Sequence, residues 1–301
     1  MAENSQSGEA WTIRRLLDST RSWLSERGVE EPRLSAELLL AHVLGCRRID
    51  LYMSLDEEPG EEQTAQFREL VRAAGKLKPV AYLIEVKEFY SLDFEVTPDV
   101  LIPRPETEAL VSRAIGLIRA SGADRYRVLE LGTGSGCIAV AVARYAQAAH
   151  VVATDISAAA LRVAARNVER HAVSDRVRLV EADGLTLPAE VVPEGGFDLL
   201  LSNPPYVAEA EAHQLAENVR RYEPKVALLA GRDGLRFHKM MAREGARLLV
   251  RTGTVLTEIG AGQEAAVQHV FARAGGWKYA GTYRDPADPH PRVLEFRRAA
   301  V

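Results

Sequence analysis

The chain has few cysteines and no long apolar run. Among its 301 residues only Cys46 and Cys137 are cysteines, too few for a disulfide framework or a four-cysteine zinc site. We therefore expect a reducing compartment, the cytoplasm. The apolar stretch from Cys137 to Ala143 stops at Arg144, far short of the roughly 20 residues that a membrane-spanning helix requires. The first residues hold no apolar segment behind a basic start, so we expect neither a secretory signal nor a membrane location.

An excess of positive charge is also missing. Lys and Arg number 38 against 42 Asp and Glu, which gives a net charge of −4. A protein that holds long stretches of nucleic-acid backbone needs many uncompensated cations, so we expect no direct sequence-specific nucleic-acid binding. The seven histidines show no metal-ligand spacing, and we expect no metal. The balance of 47% hydrophobic and 27% charged residues argues against disorder and predicts a folded, soluble chain.

Residues 1–80 predict a small bundle of short amphipathic helices. The core face of the first helix is predicted to hold Ile13, Leu16, Leu17, Thr20 and Leu24. A second helix begins near Pro32, because proline suits a first helical turn, and its predicted core face is Leu34, Leu38, Ala41 and Leu44. A third helix spans about 61–74. Residues 81–103 then predict a linker with a β-hairpin that turns near Ser91.

From residue 104 to residue 301, strands alternate with helices. Short apolar strands are predicted at 127–131, 150–154, 177–180 and 197–201, and closing strands at 255–259, 278–283 and 293–296. This alternation favours an α/β fold in which a mostly parallel sheet carries helices on both faces. The polar residues that follow the strands are therefore expected to meet at one edge of the sheet.

A glycine-rich loop follows the first of these strands and opens a helix. It consists of Gly132, Thr133, Gly134, Ser135 and Gly136. Glycine suits a tight turn that a ligand must approach closely. A dinucleotide-binding fingerprint would place glycine where Cys137 stands. Gly-x-Gly-x-Gly with an acidic residue just before it is instead the usual form of an S-adenosylmethionine site, and we expect Glu130 to meet the ammonium group of that ligand, directly or through water.

Two further carboxylates follow strands. Asp155 ends the next strand and could accept hydrogen bonds from both ribose hydroxyls, although it could also cap the following helix beside Ser157. The glycine loop upstream favours the ribose role. Asp183, which follows the third strand, could accept from the adenine amino group or simply belong to a turn before Gly184.

The most specific signal is Asn203-Pro204-Pro205-Tyr206, which directly follows a strand. The side-chain carbonyl oxygen of Asn203 and the backbone carbonyl oxygen of Pro204 can accept the two hydrogens of a planar NH2 group. Tyr206 offers that group a flat aromatic face. Accepting both hydrogens returns electron density to the nitrogen, which then attacks a methyl donor held in line. This chemistry needs neither a catalytic triad nor a metal.

These motifs together resemble the HemK/PrmC family, the release-factor glutamine methyltransferases. The resemblance covers nearly the whole chain and is strongest from Tyr82 onward. The segments that carry it are Leu101 to Glu108 (sequence LIPRPETE), Leu131 to Gly136, Asn203 to Tyr206, Tyr222-Glu223-Pro224 with Ala227-Leu228, and Gly260 followed by Gln263. It implies a class I S-adenosylmethionine-dependent methyltransferase domain over 104–301. The family usually has a small residue and glycine where this chain has Ile84-Glu85, and Lys76-Leu77-Lys78 is longer than the family pattern.

The resemblance also implies an activity. The chain would transfer a methyl group from S-adenosylmethionine to the side-chain nitrogen (N5) of the glutamine in the Gly-Gly-Gln motif of class 1 bacterial peptide chain release factors. By the same carry-over, Asn203, Pro204, Pro205 and Tyr206 hold the glutamine amide, with Asn203, Pro204 and Tyr206 as the catalytic residues. The resemblance implies that the cofactor is lined by the glycine loop, Asp155, Asp183, Gly184 and Asn203. It also implies that Phe89 and the segment from Arg104 to Thr107 close over the cofactor. The helical domain contacts the release factor, and a monomer is expected.

Two alternatives remain open at this point. The exocyclic NH2 group of adenine also fits Asn203 and Tyr206, so an adenine-N6 methyltransferase acting on DNA or RNA is the first. Such an enzyme extrudes its base and usually carries a basic recognition region. A non-catalytic cofactor-binding protein is the second, and the presence of both the glycine loop and the Asn-Pro-Pro-Tyr turn argues against it.

Overall fold

The computed structural model describes residues 10–284 and 290–299. Their contacts divide them into two compact units. The helical unit contains the described residues up to Glu85 together with Glu217–Tyr222, and the sheet unit contains Val86–Ala216 together with the described residues from Glu223 onward. The domain boundaries predicted after residues 80 and 103 stay predictions.

The helical unit consists of α1 (Ile13–Ser25), α2 (Pro32–Leu44), α3 (Glu61–Ala74), α4 (Val80–Ile84), a 3-10 turn (Arg48–Tyr52) and the short helix Glu217–Tyr222, α8 in chain order. Thr12 caps α1, since its hydroxyl accepts from the Arg15 N–H. The predicted core face of α1 is confirmed for Ile13, Leu16, Thr20 and Leu24, all buried. The hydroxyl of Tyr222 donates to the carbonyl of Lys76, which ties α8 to this unit.

The predicted core face of α2 is confirmed at Ala41, which is buried, and wrong at its three leucines. Leu34, Leu38 and Leu44 are only half-buried, whereas Ala36, Leu39 and Leu40 are fully buried. The reason is that α2 contacts α1, α3 and α4 and so is enclosed on several sides. Even Glu37 is buried, and its carboxylate accepts hydrogen bonds from Arg33, Arg48 and Tyr52, which compensate the charge.

The sheet unit begins with a hairpin of β1 (Val86–Phe89) and β2 (Leu92–Glu95). Tyr90 and Ser91 form its two-residue turn with φ of 53° and 59°, the left-handed conformation that such a turn requires. The predicted hairpin with its turn near Ser91 is thus confirmed. Phe89 and Phe94 are buried and pack edge to face, with ring centroids 6.1 Å apart.

The main sheet, as far as the described residues go, has seven strands in the order β5-β4-β3-β6-β7-β9-β8. The strands are β3 (Tyr126–Leu131), β4 (Ala149–Asp155), β5 (Val177–Glu181), β6 (Phe197–Ser202), β7 (Leu249–Glu258), β8 (Trp277–Tyr283) and β9 (Val293–Arg298). Neighbours from β5 to β7 pair in parallel, and β9 pairs antiparallel with both β7 and β8. The predicted mostly parallel α/β fold is confirmed.

Helices cover both faces of this sheet. They are α5 (Glu108–Ser121), α6 (Cys137–Tyr145), α7 (Ala158–Arg170), α9 (Arg236–Leu248) and α10 (Glu264–Ala274). Successive strand residues enter different cores: Val128 packs in the core with α5, α6 and α7, and Leu129 in the core with α9 and α10. A buried parallel sheet of this kind leaves its functional groups at the strand ends.

The connections define where a ligand can bind. The chain starts in the middle at β3, moves outward to β4 and β5, and then returns to β6 on the other side of β3. At such a reversal the loops after β3 and β6 diverge and leave a crevice at the carboxyl ends of the strands. The glycine loop follows β3 and the Asn-Pro-Pro-Tyr turn follows β6, so both motifs border that crevice.

One departure from the family pattern has a conformational consequence. Glu85, which ends α4 where the family has glycine, adopts φ 57° and ψ 23°. This left-handed conformation brings the Cβ of any L residue close to its own backbone and disfavours it relative to glycine. Leu77, within the longer Lys76-Leu77-Lys78 segment, also has a positive φ of 64°.

We predict that Glu85→Gly stabilises the protein. Relief of the left-handed strain is worth roughly 1–2 kcal/mol, and the greater unfolded-state entropy of glycine offsets roughly 0.5–1 kcal/mol, so the free energy of unfolding should rise by about 0.5–1 kcal/mol. Glu85→Ala keeps the Cβ and should give no such gain. Urea denaturation of the three proteins tests this, and equal stability of the glycine and alanine variants would contradict it.

Candidate active site

A cleft opens at the carboxyl ends of β3, β4, β5 and β6. It brings together most of the site residues predicted from the sequence: Arg104, Gly132, Thr133, Gly134, Ser135, Asp155, Asp183, Gly184, Asn203, Pro204 and Pro205. Ile156 and Val226 also line it, and both are more than half exposed. Sequence reasoning missed these two, although an apolar residue directly after the strand-end Asp155 was a usable signal.

The glycines of the loop serve two purposes, one at Gly132 and Gly134 and the other at Gly136. All adopt positive φ, 74° at Gly132, 55° at Gly134 and 80° at Gly136. A Cβ at Gly132 or Gly134 would meet no protein atom within 4 Å, so these two positions leave open space in which a ligand can approach the backbone. A Cβ at Gly136 would instead lie 3.2 Å from the Cβ of Ala164. Gly136 does not line the cleft and serves the close packing of α6 on α7.

Glu130 lies directly behind this loop and is fully buried. Its Oε2 accepts a hydrogen bond from the Thr133 hydroxyl at 2.9 Å, and its Oε1 has no hydrogen-bond partner in the described part of the chain. Burial raises the pKa of this carboxyl to about 8. Glu130 does not line the cleft, whereas Thr133, its hydrogen-bond donor, does. The Thr133 hydroxyl and the Ala139 N–H lower the pKa of Glu130 against this effect of burial, and contact of Glu130 with an ammonium group stays a prediction.

Asp155 is fixed by two backbone donors. Its Oδ2 accepts from the Gly134 N–H and its Oδ1 from the Ser157 N–H, both at 2.9 Å. The cap of α7 comes from Ser157, whose hydroxyl accepts from the Ala160 N–H. Asp155 therefore joins the glycine loop to the end of β4 and remains in the lining of the cleft. Ser157 thus supplies the helix cap, and the ribose role of Asp155 stays a prediction.

Asp183 and Gly184 follow β5. Asp183 is exposed and starts a turn, since its carbonyl accepts from the Thr186 N–H at 3.2 Å. Gly184 has φ 60°, and a Cβ there would lie 2.6 Å from the sulfur of Met240. Both residues line the cleft, and hydrogen bonding of Asp183 to adenine stays a prediction.

The Asn203 side chain is held at one end only. Its Nδ2 donates to the Thr107 hydroxyl at 2.9 Å, and its Oδ1 has no partner in the regions that the structure describes. Thr107 in turn donates to Oε2 of the buried Glu258 at 2.7 Å. An ionised Glu258 can only accept, so the single hydrogen of the Thr107 hydroxyl goes to Glu258 and Thr107 accepts from Asn203, which fixes the amide with NH2 toward Thr107. The Asn203 oxygen is thus available for a ligand.

The Tyr206 end of the turn is anchored through its backbone. The Tyr206 carbonyl accepts from Nε2 of Gln263 at 2.9 Å, and Oε1 of Gln263 accepts from the Gly260 N–H at 2.9 Å. A Cβ at Gly260 would lie 3.1 Å from the Tyr206 ring and 3.0 Å from Oε1 of Gln263, so a larger residue there would require the ring or the Gln263 side chain to shift. Tyr206 is not part of the cleft lining, and burial raises the pKa of its phenol to about 12. Its contact with a substrate stays a prediction.

Phe89 and Arg104 differ in their positions. Phe89 is 1% exposed and packs in the core beneath α5 and α6, outside the cleft lining, because the inward face of the hairpin supplies apolar area to that core. Arg104 does line the cleft, and it donates to the buried Glu223, which also accepts from the Ile102 N–H. Sequence reasoning missed this anchoring role of Glu223, although Tyr222-Glu223-Pro224 was recognised as part of the family pattern.

A thiol also lies at the cleft. Cys137 lines the cleft, but burial and the nearby Glu130 raise the pKa of its thiol to about 12, so it remains a protonated thiol and not a nucleophile. Within residues 10–284 and 290–299, no group of three or more His, Cys, Asp or Glu side chains is arranged to hold a metal ion. No helix in those ranges is long and apolar enough to cross a membrane.

The sheet order, the glycine loop after β3 and the strand-end Asp155 together define a class I S-adenosylmethionine-dependent methyltransferase. The methyltransferase small domain model matches residues 116–222, and the PrmC N-terminal domain model matches residues 15–84. Among solved structures, the hMettl16 catalytic domain in complex with MAT2A 3'UTR hairpin 1 has the same fold, with a TM-score of 0.55, 16% identity and coverage of 93% of this chain and 91% of that one.

Curated relatives give the particular family. The release factor glutamine methyltransferase of Rhodopirellula baltica is 42% identical over 301 residues, covering 99% of this chain and 100% of the relative. That of Chlorobaculum tepidum is 42% identical over 266 residues, covering 87% and 90%. The chain therefore belongs to the release factor glutamine methyltransferase family.

A glycine substitution in the loop tests its role in ligand binding. We predict that Gly134→Ala weakens S-adenosylmethionine binding by about tenfold or more, because the methyl group enters the cleft where the ligand approaches. Gly122→Ala is the matched control, since Gly122 has a similar φ of 64° and open space but lies at the end of α5, away from the cleft. Calorimetric titration measures both. Equal affinities of the two variants would contradict the assignment of the loop.

Proposed function

We propose that this chain methylates the side-chain nitrogen of the glutamine in the Gly-Gly-Gln motif of class 1 peptide chain release factors. The observation that carries the proposal is the Asn203 carboxamide, fixed at its NH2 end with its oxygen available at a cleft bordered by the glycine loop. Membership of the release factor glutamine methyltransferase family supports this substrate over the exocyclic amine of adenine and over a non-catalytic protein.

The cleft fits S-adenosylmethionine in three respects. Gly132 and Gly134 leave room above the backbone, Asp155 presents a pre-oriented carboxylate suited to ribose hydroxyls, and Glu130 keeps a partnerless oxygen behind Thr133 suited to the ammonium group. When bound, the cofactor supplies an electrophilic methyl group on a sulfonium. Asp183, Gly184 and Arg104 complete the proposed binding site.

The turn after β6 provides the groups that the glutamine amide needs. Oδ1 of Asn203 and the Pro204 carbonyl, which accepts no backbone hydrogen bond within the described ranges, would accept the two amide hydrogens. Accepting both hydrogens raises the electron density on the amide nitrogen and holds the plane of the amide so that the nitrogen faces the cleft. Such orientation can contribute on the order of 7–11 kcal/mol. No side chain has to remove a proton before the attack, because the amide nitrogen becomes acidic only as it is alkylated.

The helical unit is the proposed contact region for the body of the release factor. Its 3-10 turn and the residue that follows the turn expose three large apolar side chains, Ile49 at 61%, Tyr52 at 40% and Met53 at 80%. An exposed apolar group of this size beside charged residues is typical of a protein interaction site. We further propose that the enzyme acts as a monomer in the cytoplasm, without membrane or sequence-specific nucleic-acid contacts.

Methylation of a release factor tests the proposal. We expect the purified protein, given labelled S-adenosylmethionine, to label a class 1 release factor, and mass spectrometry to place one methyl group on the Gly-Gly-Gln glutamine. Asn203→Ala should lower the rate about 100-fold or more, because it removes one acceptor of the reacting amide, with only a small change in cofactor affinity. Label in a duplex oligonucleotide and none in the release factor would instead support the adenine methyltransferase.

A further inference from the structure

Two hydrogen bonds, one part-buried and one buried, connect the proposed substrate amide acceptor to a carboxylate that the reaction described above does not use. Nδ2 of Asn203 donates to Oγ1 of Thr107 at 2.9 Å, and Oγ1 of Thr107 donates to Oε2 of Glu258 at 2.7 Å. Thr107 is 2% exposed and Glu258 is 1% exposed. Thr107 and Glu258 therefore cannot turn to water for a replacement partner, whereas Asn203 is half-buried and borders the cleft.

The fold brings these three residues together from distant parts of the sequence. Ser202 pairs with Thr257 in the parallel ladder of β6 and β7, so Asn203, the first residue after β6, lies beside Glu258, the last residue of β7. Thr107 comes from the turn that leads into α5. The backbone carbonyl of Glu258 accepts from Nε2 of His238 at 3.0 Å, which fixes the strand end from the other face of the sheet.

The charge of Glu258 decides which way the Asn203 amide points. A carboxylate only accepts hydrogen bonds, so it takes the single hydroxyl hydrogen of Thr107 and leaves Thr107 to accept from the Asn203 NH2 group. A protonated Glu258 could donate to Thr107, and the hydroxyl could then donate to Oδ1 of Asn203. The amide would turn by half a rotation and present NH2 to the cleft, where it would oppose the NH2 group of the substrate.

We propose that Thr107 and Glu258 are positioning residues that hold the Asn203 carboxamide with its oxygen toward the reacting amide. This inference rests on the proposed glutamine methylation. Its direct consequence is that methyl transfer requires both the hydroxyl of Thr107 and an ionised Glu258, although neither group contacts the reacting atoms in this scheme.

The surroundings of Glu258 make its charge sensitive to pH. Burial raises the pKa of this carboxyl to about 7, and the negative charge of Glu106 also raises it. The hydrogen bond from Thr107 and the positive charges of Arg292 and Arg104 lower the pKa. Tyr206 and Cys137 also face it, and both remain protonated at neutral pH. Burial lowers the pKa of His238 to about 4, so this neighbour stays neutral. The positioning should therefore be lost as the pH falls through about 7.

Variants of Thr107 separate positioning from packing. We expect Thr107→Val, which keeps the shape and removes the hydroxyl, to lower kcat for release factor methylation at saturating cofactor by about tenfold or more, with a smaller change in the cofactor Kd because Thr107 also borders the cleft. Thr107→Ser keeps the hydroxyl and should recover most of the activity. Equal activity of folded valine and serine variants would overturn the proposal, as would a loss of cofactor affinity as large as the loss of kcat.

Glu258→Gln tests the requirement for charge. The wild-type kcat should fall below about pH 7, and the Gln variant should be slower at high pH and lose this pH dependence. An unchanged pH profile in the variant would overturn the role of Glu258.

A readout on the free protein keeps this test separate from the test of the proposed function. NMR can follow the exchange of the Asn203 side-chain NH2 hydrogens with solvent, and Asn203→Ala assigns their signals. This exchange should be slow in the wild type and in Thr107→Ser, and rapid in Thr107→Val. If the wild-type protein methylates no release factor, the proposed function fails, and this exchange measurement still decides whether Thr107 holds the amide. Equal exchange in all three proteins would overturn the positioning.

Discussion

The direction of one side-chain amide is the constraint on which the candidate site depends. The two ends of the Asn203 carboxamide are nearly equal in size but opposite in hydrogen bonding, so shape alone cannot decide which end faces a ligand. The structure decides it chemically, because Thr107 donates to Glu258 and can then only accept from Asn203. An acceptor prepared in this way suits a planar NH2 group and would disfavour a carbonyl oxygen at the same place.

The acceptor on Asn203 borders one side of the cleft, and a different set of strand-end residues borders the other side. The glycine loop leaves β3, Asp155 leaves β4, and the backbone N–H of Gly134 binds the Asp155 carboxylate. The Asn-Pro-Pro-Tyr turn leaves β6, the direct neighbour of β3 on the other side. The reversal of the chain at β3 thus separates a proposed cofactor half from a proposed substrate half, and both are fixed to adjacent strands whose cores are fully packed on either face.

The sequence predicted those parts of the protein that depend on neighbours along the chain. The core face of α1, the hairpin turn at Ser91 and the strand-end motifs are local patterns, and the structure has them in the expected places. The core face of α2 was wrong at its three leucines because its burial depends on three other helices. Phe89 and the Tyr206 ring lie outside the cleft lining because tertiary packing, which a motif does not encode, decides where each side chain goes. The roles of Glu258 and Glu223 were missed because their partners lie more than 100 residues away, at Thr107 and Arg104.

The most direct test of this account is a crystal structure of the protein with S-adenosylhomocysteine and a release factor that carries the Gly-Gly-Gln motif. The account predicts that the glutamine NH2 group lies within hydrogen-bond distance of Oδ1 of Asn203 and of the Pro204 carbonyl, with its nitrogen facing the cofactor sulfur, and that Nδ2 of Asn203 remains on Thr107. A glutamine bound away from this turn, or an Asn203 amide that presents its NH2 group to the substrate, would contradict it.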